Sequence, residues 1–171
     1  SLMEKIEQRL AAMVACNPTR VNLYERYQEI VQAYNKDKDA AEIQKVMDEL
    51  FAFNDDCSEE EKRYLREGLS SETELAMFDL LQKDALTKGD REAIKKVAQG
   101  LLEKLTDQRF ALERLRSMAT MQAQMKVEII NYLYANLPSS AYDPEDIDLR
   151  AGAVFAHIYS AGLGGGSPVY H

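Results

Sequence analysis

Residues capable of covalent or metal chemistry are sparse in this sequence. Histidine occurs only at His157 and His171 and cysteine only at Cys16 and Cys57, with no CxxC and no HExxH spacing. From these, neither a zinc-ligand cluster, a disulfide framework nor a nucleophile–base–orienter set can be assembled. A GxSxG elbow is missing too. Gly162-Leu163-Gly164-Gly165-Gly166-Ser167 has no lysine after it and no helix to open, so it cannot cradle phosphate. Asp55, Asp56, Glu60, Glu61 and Lys62 imitate the acidic-plus-lysine set of a metal-dependent nuclease. That set works from a strand that holds its carboxylates about a metal, and these lie at a helix cap. The expectation is a chain with no catalytic residue, no cofactor site and no metal site of its own. His157, beside Phe155 and Ile158, reads as an ordinary packing or surface histidine.

Chemistry of recognition is better represented. Lys88, Arg91, Lys95 and Lys96 line one side of a helix and suit either a solvated face or contact with DNA phosphate. Gln122 and Lys126 fall inside an apolar stripe, where polar groups must find internal partners or lie at an interface. With Met121 and Tyr132 they form the candidate partner-binding set. Met118, Met121 and Met125 suit an irregular core or an adaptable docking surface. Tyr24, Tyr27 and Tyr34 suggest packing with their hydroxyls at the rim.

The elements that must position these residues are helices. Pro18, Pro138, Pro144 and Pro168 are the only prolines among 171 residues, so the stretch from Thr19 to Leu137 lacks the strongest helix breaker. A first helix carries Met3, Ile6, Leu10 and Met13, and Asn17-Pro18 stops it and restarts the chain, Asn17 as N-cap and Pro18 at N1. The second buries Leu23, Tyr27, Ile30, Val31 and Tyr34. Asp39 with Glu42, Ser58 with Glu61 and Ser71 with Glu74 repeat the capping-box spacing and mark three more starts. The third helix packs Ile43, Val46, Met47, Leu50 and Phe51; a short fourth offers Tyr64 and Leu65 and stops at Gly68; the fifth presents Leu75, Phe78 and Leu81. A sixth runs from about Lys88 to Leu105 and a seventh from about Phe110 to Asn136, with Leu115, Met118, Ala119, Met125, Ile129, Ile130, Leu133 and Leu137 in one sector. The eighth follows Asp143-Pro144 and buries Ile147, Ala151, Val154, Phe155 and Ile158. The reading is all-α: one helical bundle domain of about eight helices over residues 1–160, then a flexible Gly- and Pro-containing tail over 161–171.

The formal charge of −8 argues against a generally nucleic-acid-coating surface. It is concentrated between Lys36 and Asp79, where 6 basic residues face 14 acidic ones. That stretch is either a solvated face with acids at helix N-termini or a docking surface for a basic partner. No run approaches the roughly 18 to 20 apolar residues of a membrane span, and Ser1-Leu2-Met3-Glu4-Lys5 lacks the features of a secretory signal. A reducing, cytoplasmic setting is expected, and the start without an initiator Met suggests a segment of a longer chain.

The run Asn17-Pro18-Thr19-Arg20, continuing to Tyr24-Glu25-Arg26-Tyr27-Gln28-Glu29-Ile30-Val31 and Tyr34-Asn35, resembles the C-terminal helical region of the restriction (R) subunit of type I restriction-modification enzymes. So do Glu67-Gly68-Leu69 with Phe78-Asp79-Leu80-Leu81, Leu86-Thr87-Lys88 with Ile94-Lys95-Lys96-Val97, Leu137-Pro138 with Tyr142, Glu145, Asp146 and Ile147, and Val154-Phe155 with His157 and Tyr159. The tail's Ser167-Pro168-Val169-Tyr170 fits the same pattern, and the pieces follow in order over nearly the whole chain. Where the family often shows Trp near position 115 and Arg near 122, this chain has Leu115 and Gln122, so roles of those family residues do not transfer.

The resemblance implies a parent that binds methyltransferase and specificity subunits, hydrolyses ATP with Mg to translocate DNA, and cuts far from its recognition site. Motor and nuclease domains are expected upstream of this segment. It also implies that this region attaches the motor subunit to the modification core; lacking the motor and nuclease motifs, the segment reads as non-catalytic, and the seventh and eighth helices and the acidic middle are its candidate contact surfaces. Two alternatives stand beside it: a helical domain that contacts DNA near the motor, and a free-standing acidic helical protein that imitates DNA.

Overall fold

The computed structural model describes residues 1–34, 39–113 and 118–160, the side chains of 108–113 and 118 aside. Among these are eight α-helices, one 3-10 turn and no strand, so the fold is all-α. Contacts divide the chain into two compact units, Ser1–Glu72 and Thr73–His171.

The first unit contains α1 (Leu2–Cys16), a 3-10 turn (Pro18–Arg20), α2 (Val21–Tyr34), α3 (Ala40–Glu61) and α4 (Arg63–Arg66). Asn17 acts as the sequence requires: its Oδ1 accepts from the Thr19 amide at 3.2 Å and the Thr19 hydroxyl at 2.7 Å, with Pro18 just inside the turn. Asp39 and Glu42 form the reciprocal capping box that starts α3, at 2.9 and 3.1 Å. The core of this unit joins Ile6, Leu10 and Met13 of α1 to Tyr27 of α2 and to Leu50, Phe53 and Cys57 of α3. Leu10, Leu50 and Phe53 are completely buried, each contributing about 1.5–3 kcal/mol. The Tyr27 and Phe53 rings stack at 6.0 Å. Gly68, with φ +72°, supplies the left-handed residue after α4.

Several expectations for this unit need correction. Ser58 does not cap a new helix. It lies inside α3, its hydroxyl donating to the Asn54 carbonyl at 3.3 Å, the i−4 bond by which a serine stays within a helix. Because α3 continues through Ser58, its buried stripe is Val46, Leu50, Phe53 and Cys57, spaced i, i+4, i+7 and i+11. That rotates Ile43 and Phe51 outward, to 42% and 55% exposure, instead of packing them. Leu65 is exposed as well, and on α2 only Tyr27 is buried; Leu23, Ile30 and Val31 are half-buried, while Tyr24 and Tyr34 are exposed.

In the second unit, α5 (Glu72–Leu81, begun at the unit boundary) is followed by α6 (Lys88–Glu113), α7 (Met118–Asn136) and α8 (Pro144–Ile158). α7 packs on α8 and on α6. α6 does not stop at Leu105, and α7 does not start at Phe110. The Thr106 hydroxyl donates to the Leu102 carbonyl at 2.8 Å rather than capping a new helix, so α6 runs on. Asp143 caps α8 by accepting from the Asp146 amide at 2.7 Å, with Pro144 at the first helical position. The buried faces are Ile94, Val97, Ala98, Leu101 and Leu105 on α6, Met125, Ile129 and Leu133 on α7, and Ile147, Ala151, Val154, His157 and Ile158 on α8. Phe155 and Ile130 are half-buried and Ala119 is exposed. Leu115, the Gly162–Ser167 run and His171 lie outside the described residues.

Candidate functional site

Among the described residues the densest polar constellation is in the first unit, and periodicity does not announce it. Arg20, placed by the Asn17-Pro18 turn, is 2% exposed. Its Nε donates to Glu60 at 3.0 Å, and one terminal nitrogen reaches Glu72 at 2.6 Å and the Met13 carbonyl at 3.4 Å. The other donates to the Glu60 carbonyl at 3.4 Å. Arg9 joins α1 to α3 in the same manner, through Glu61 at 2.7 Å, Asn54 at 3.0 Å and Ser58 at 2.9 Å. Every guanidinium nitrogen of both arginines therefore has an acceptor in its own unit.

The electrostatics follow. Burial by itself lowers the Arg20 pKa, but hydrogen bonds to Glu72 and Glu60 outweigh it and leave it raised. Burial raises Glu60, and the bonds from Arg63 and Arg20 more than reverse this. Glu61 is lowered chiefly by its bond from Arg9. A cleft of about 420 Å³ adjoins the network, lined by Arg9, Met13, Cys16, Arg20, Tyr64 and Glu72. Glu72 Oε1 is buried without a hydrogen-bond partner among the described residues. The Glu60, Glu61 and Lys62 set that imitates a nuclease thus closes α3, with Lys62 as its C-cap and both carboxylates bonded to arginines. No group of three or more potential metal ligands occurs among the described residues.

The candidate DNA-contacting residues of α6 separate into two pairs. Lys88 and Lys96 are exposed. Arg91 donates to Gln82 at 3.0 Å and lies over the Phe78 ring at 5.4 Å; Lys95 pairs with Glu92 at 3.1 Å, its ammonium 5.6 Å from the same ring. The candidate partner-binding residues of α7 do not converge on one face either. Met121 and Gln122 are half-buried. Lys126 places its ammonium 4.7 Å over Phe155 of α8. Tyr132 is turned the other way, against Gly100 of α6, with the Lys104 ammonium 5.6 Å from its ring.

His157 is buried, and burial pushes its pKa below the ordinary value. Cys57 belongs to the first core, its thiol pushed up by burial. Sequence reasoning passed over Arg20 because a buried charge is fixed by distant partners, here Glu60 and Glu72, and leaves no local spacing. Among the described residues no helix is long and apolar enough to cross a membrane.

A family model described as "Type I restriction enzyme HindI endonuclease subunit-like, C-terminal" matches residues 1–160. No curated protein and no solved structure matches the chain.

Proposed function

From the premise that this chain belongs to the type I restriction enzyme HindI endonuclease subunit-like C-terminal family, we propose that it attaches the DNA-translocating and DNA-cleaving subunit to the methyltransferase–specificity core. In this reading it performs no bond-breaking itself. ATP and Mg serve the motor of the parent, and DNA reaches this region through the assembled complex.

The observation that carries the reading is the division between its polar and apolar residues. The buried guanidinium of Arg20 and the half-buried one of Arg9 are engaged in holding α1, the 3-10 turn and α3 together. Meanwhile large apolar side chains that the cores do not use, Ile43, Phe51 and Leu65 in one unit and Val127 and Leu149 in the other, face outward. Exposed apolar side chains on a rigid helical scaffold are what a protein partner anchors on. Titrating the chain into the reconstituted methyltransferase–specificity core tests the reading. Saturable binding, and competition with the full restriction subunit, are expected; lack of both rejects it.

A second reading, contact with DNA through Lys88, Arg91, Lys95 and Lys96, draws its support from the exposed Lys88 and Lys96. It requires an affinity that falls steeply with salt.

A further inference from the structure

We propose that the outward side of α3 is the docking face, and that its occupant is a basic amphipathic helix of the methyltransferase–specificity core. The inference rests on the docking reading above and assigns it a place and a chemistry.

Ile43, Met47 and Phe51 follow one another at four-residue spacing and so form a continuous ridge on one side of the helix. Ile43 and Phe51 are 42% and 55% exposed, and Met47 is half-buried. The inward stripe of Val46, Leu50, Phe53 and Cys57 supplies the buried contribution of α3, and Met47 packs against that core from its edge, so Ile43 and Phe51 are the side chains of this row left surplus to folding.

Asp48 and Asp55 stand beside this ridge, seven residues apart, which is two turns or about 10 Å, and bracket Phe51. Both are exposed. Among the described residues Asp48 accepts from the neutral Gln44 amide at 2.9 Å, and neither it nor Asp55 has a cationic partner there. Their neighbours differ: Asp56 is paired with Arg26 and Glu59 with Arg66. α3 therefore offers an apolar ridge with two uncompensated carboxylates along its edge.

Charge decides the class of occupant. DNA phosphate and anionic lipid are repelled by this edge. An uncharged apolar partner would desolvate the carboxylates without compensation. A helix that presents an apolar stripe flanked by Lys or Arg satisfies both features at once, in the helix-on-face mode of recognition. Phe51, aromatic and between the two carboxylates, is the expected anchor.

The experiment measures the affinity of the 171-residue chain for the reconstituted core, using the wild type, Ile43→Ser/Phe51→Ser and Asp48→Lys/Asp55→Lys, each checked for helix content by circular dichroism. Both double variants alter exposed side chains. At least a tenfold loss of affinity is expected from each, and the charge-reversed chain should lose the salt dependence of the wild type. Wild-type affinity in both variants overturns the inference and leaves the docking reading standing. Loss in the apolar variant alone overturns the basic character of the partner. If the wild type itself does not bind the core, the docking reading falls and takes this inference with it.

Discussion

The hydroxyl of Tyr132 on α7 fills the space that a β-carbon on Gly100 of α6 would occupy. The glycine is there for a packing reason, because a side chain would push the two helices apart. On helix propensity alone, Gly100→Ala should stabilise α6 by about 1 kcal/mol. Overpacking costs about 1–3 kcal/mol, so that gain is cancelled and a net destabilisation of up to about 2 kcal/mol is expected in urea denaturation. Adding Tyr132→Phe removes the clashing oxygen and should recover most of the loss. That non-additivity is the signature of direct contact.

Arg20 holds two carboxylates, Glu60 and Glu72, from a position 2% exposed. Arg20→Met removes the cation and leaves the acids behind, and breaking a buried pair from one side costs about 3–5 kcal/mol. The linkage gives a second readout. The Glu60 pKa is lowered in the folded chain, so its contribution is present above the unfolded value of 4.5 and is lost as pH falls through the folded value. The wild type should lose stability on that acid limb, and Arg20→Met should show a flatter limb over the same range.

Much of this architecture is legible in the sequence, and the parts that are not turn on partners that local spacing does not choose. Asn17-Pro18, Asp39 with Glu42 and Asp143-Pro144 are local signals, and each caps the element it announces. Ser58 with Glu61 has the same spacing but caps nothing, because Arg9 of α1 takes both side chains. The face of α3 shifts from Ile43 and Phe51 to Phe53 and Cys57 because the helix does not end at Ser58. Thr106 could have capped or continued a helix, and its bond to Leu102 continues it. The division of the four basic residues of α6 follows from Phe78, which is on another helix. For Ser58 and the basic residues of α6, tertiary partners choose between local possibilities that the sequence leaves open; for Thr106 the choice is made by a bond inside its own helix.

His157 on α8 is buried, and burial lowers its pKa from the ordinary 6.5. A neutral buried histidine contributes its full stability above that unfolded value. As pH falls from there, the unfolded chain takes up a proton that the folded chain resists, and stability is lost down through the depressed folded value. Thermal melts between pH 7.5 and about 5 should show the wild type softening. His157→Gln, which does not titrate there, should flatten the curve; an unchanged slope would place the titration elsewhere.

The four basic residues of α6 should separate by assay. Arg91 and Lys95 lie over Phe78, and a cation over an aromatic face contributes about 0.5–1 kcal/mol at partly exposed sites. Arg91→Ala and Lys95→Ala should each destabilise the chain by about that amount in urea. Lys88 and Lys96 are exposed, and their alanine variants should stay within about 0.5 kcal/mol of the wild type. If this face also touches DNA, Lys88→Ala and Lys96→Ala should weaken duplex binding without sequence preference, each reducing the slope of log affinity against log salt by about 1. A slope that both variants leave intact removes α6 from the DNA path and leaves Arg91 and Lys95 as packing residues.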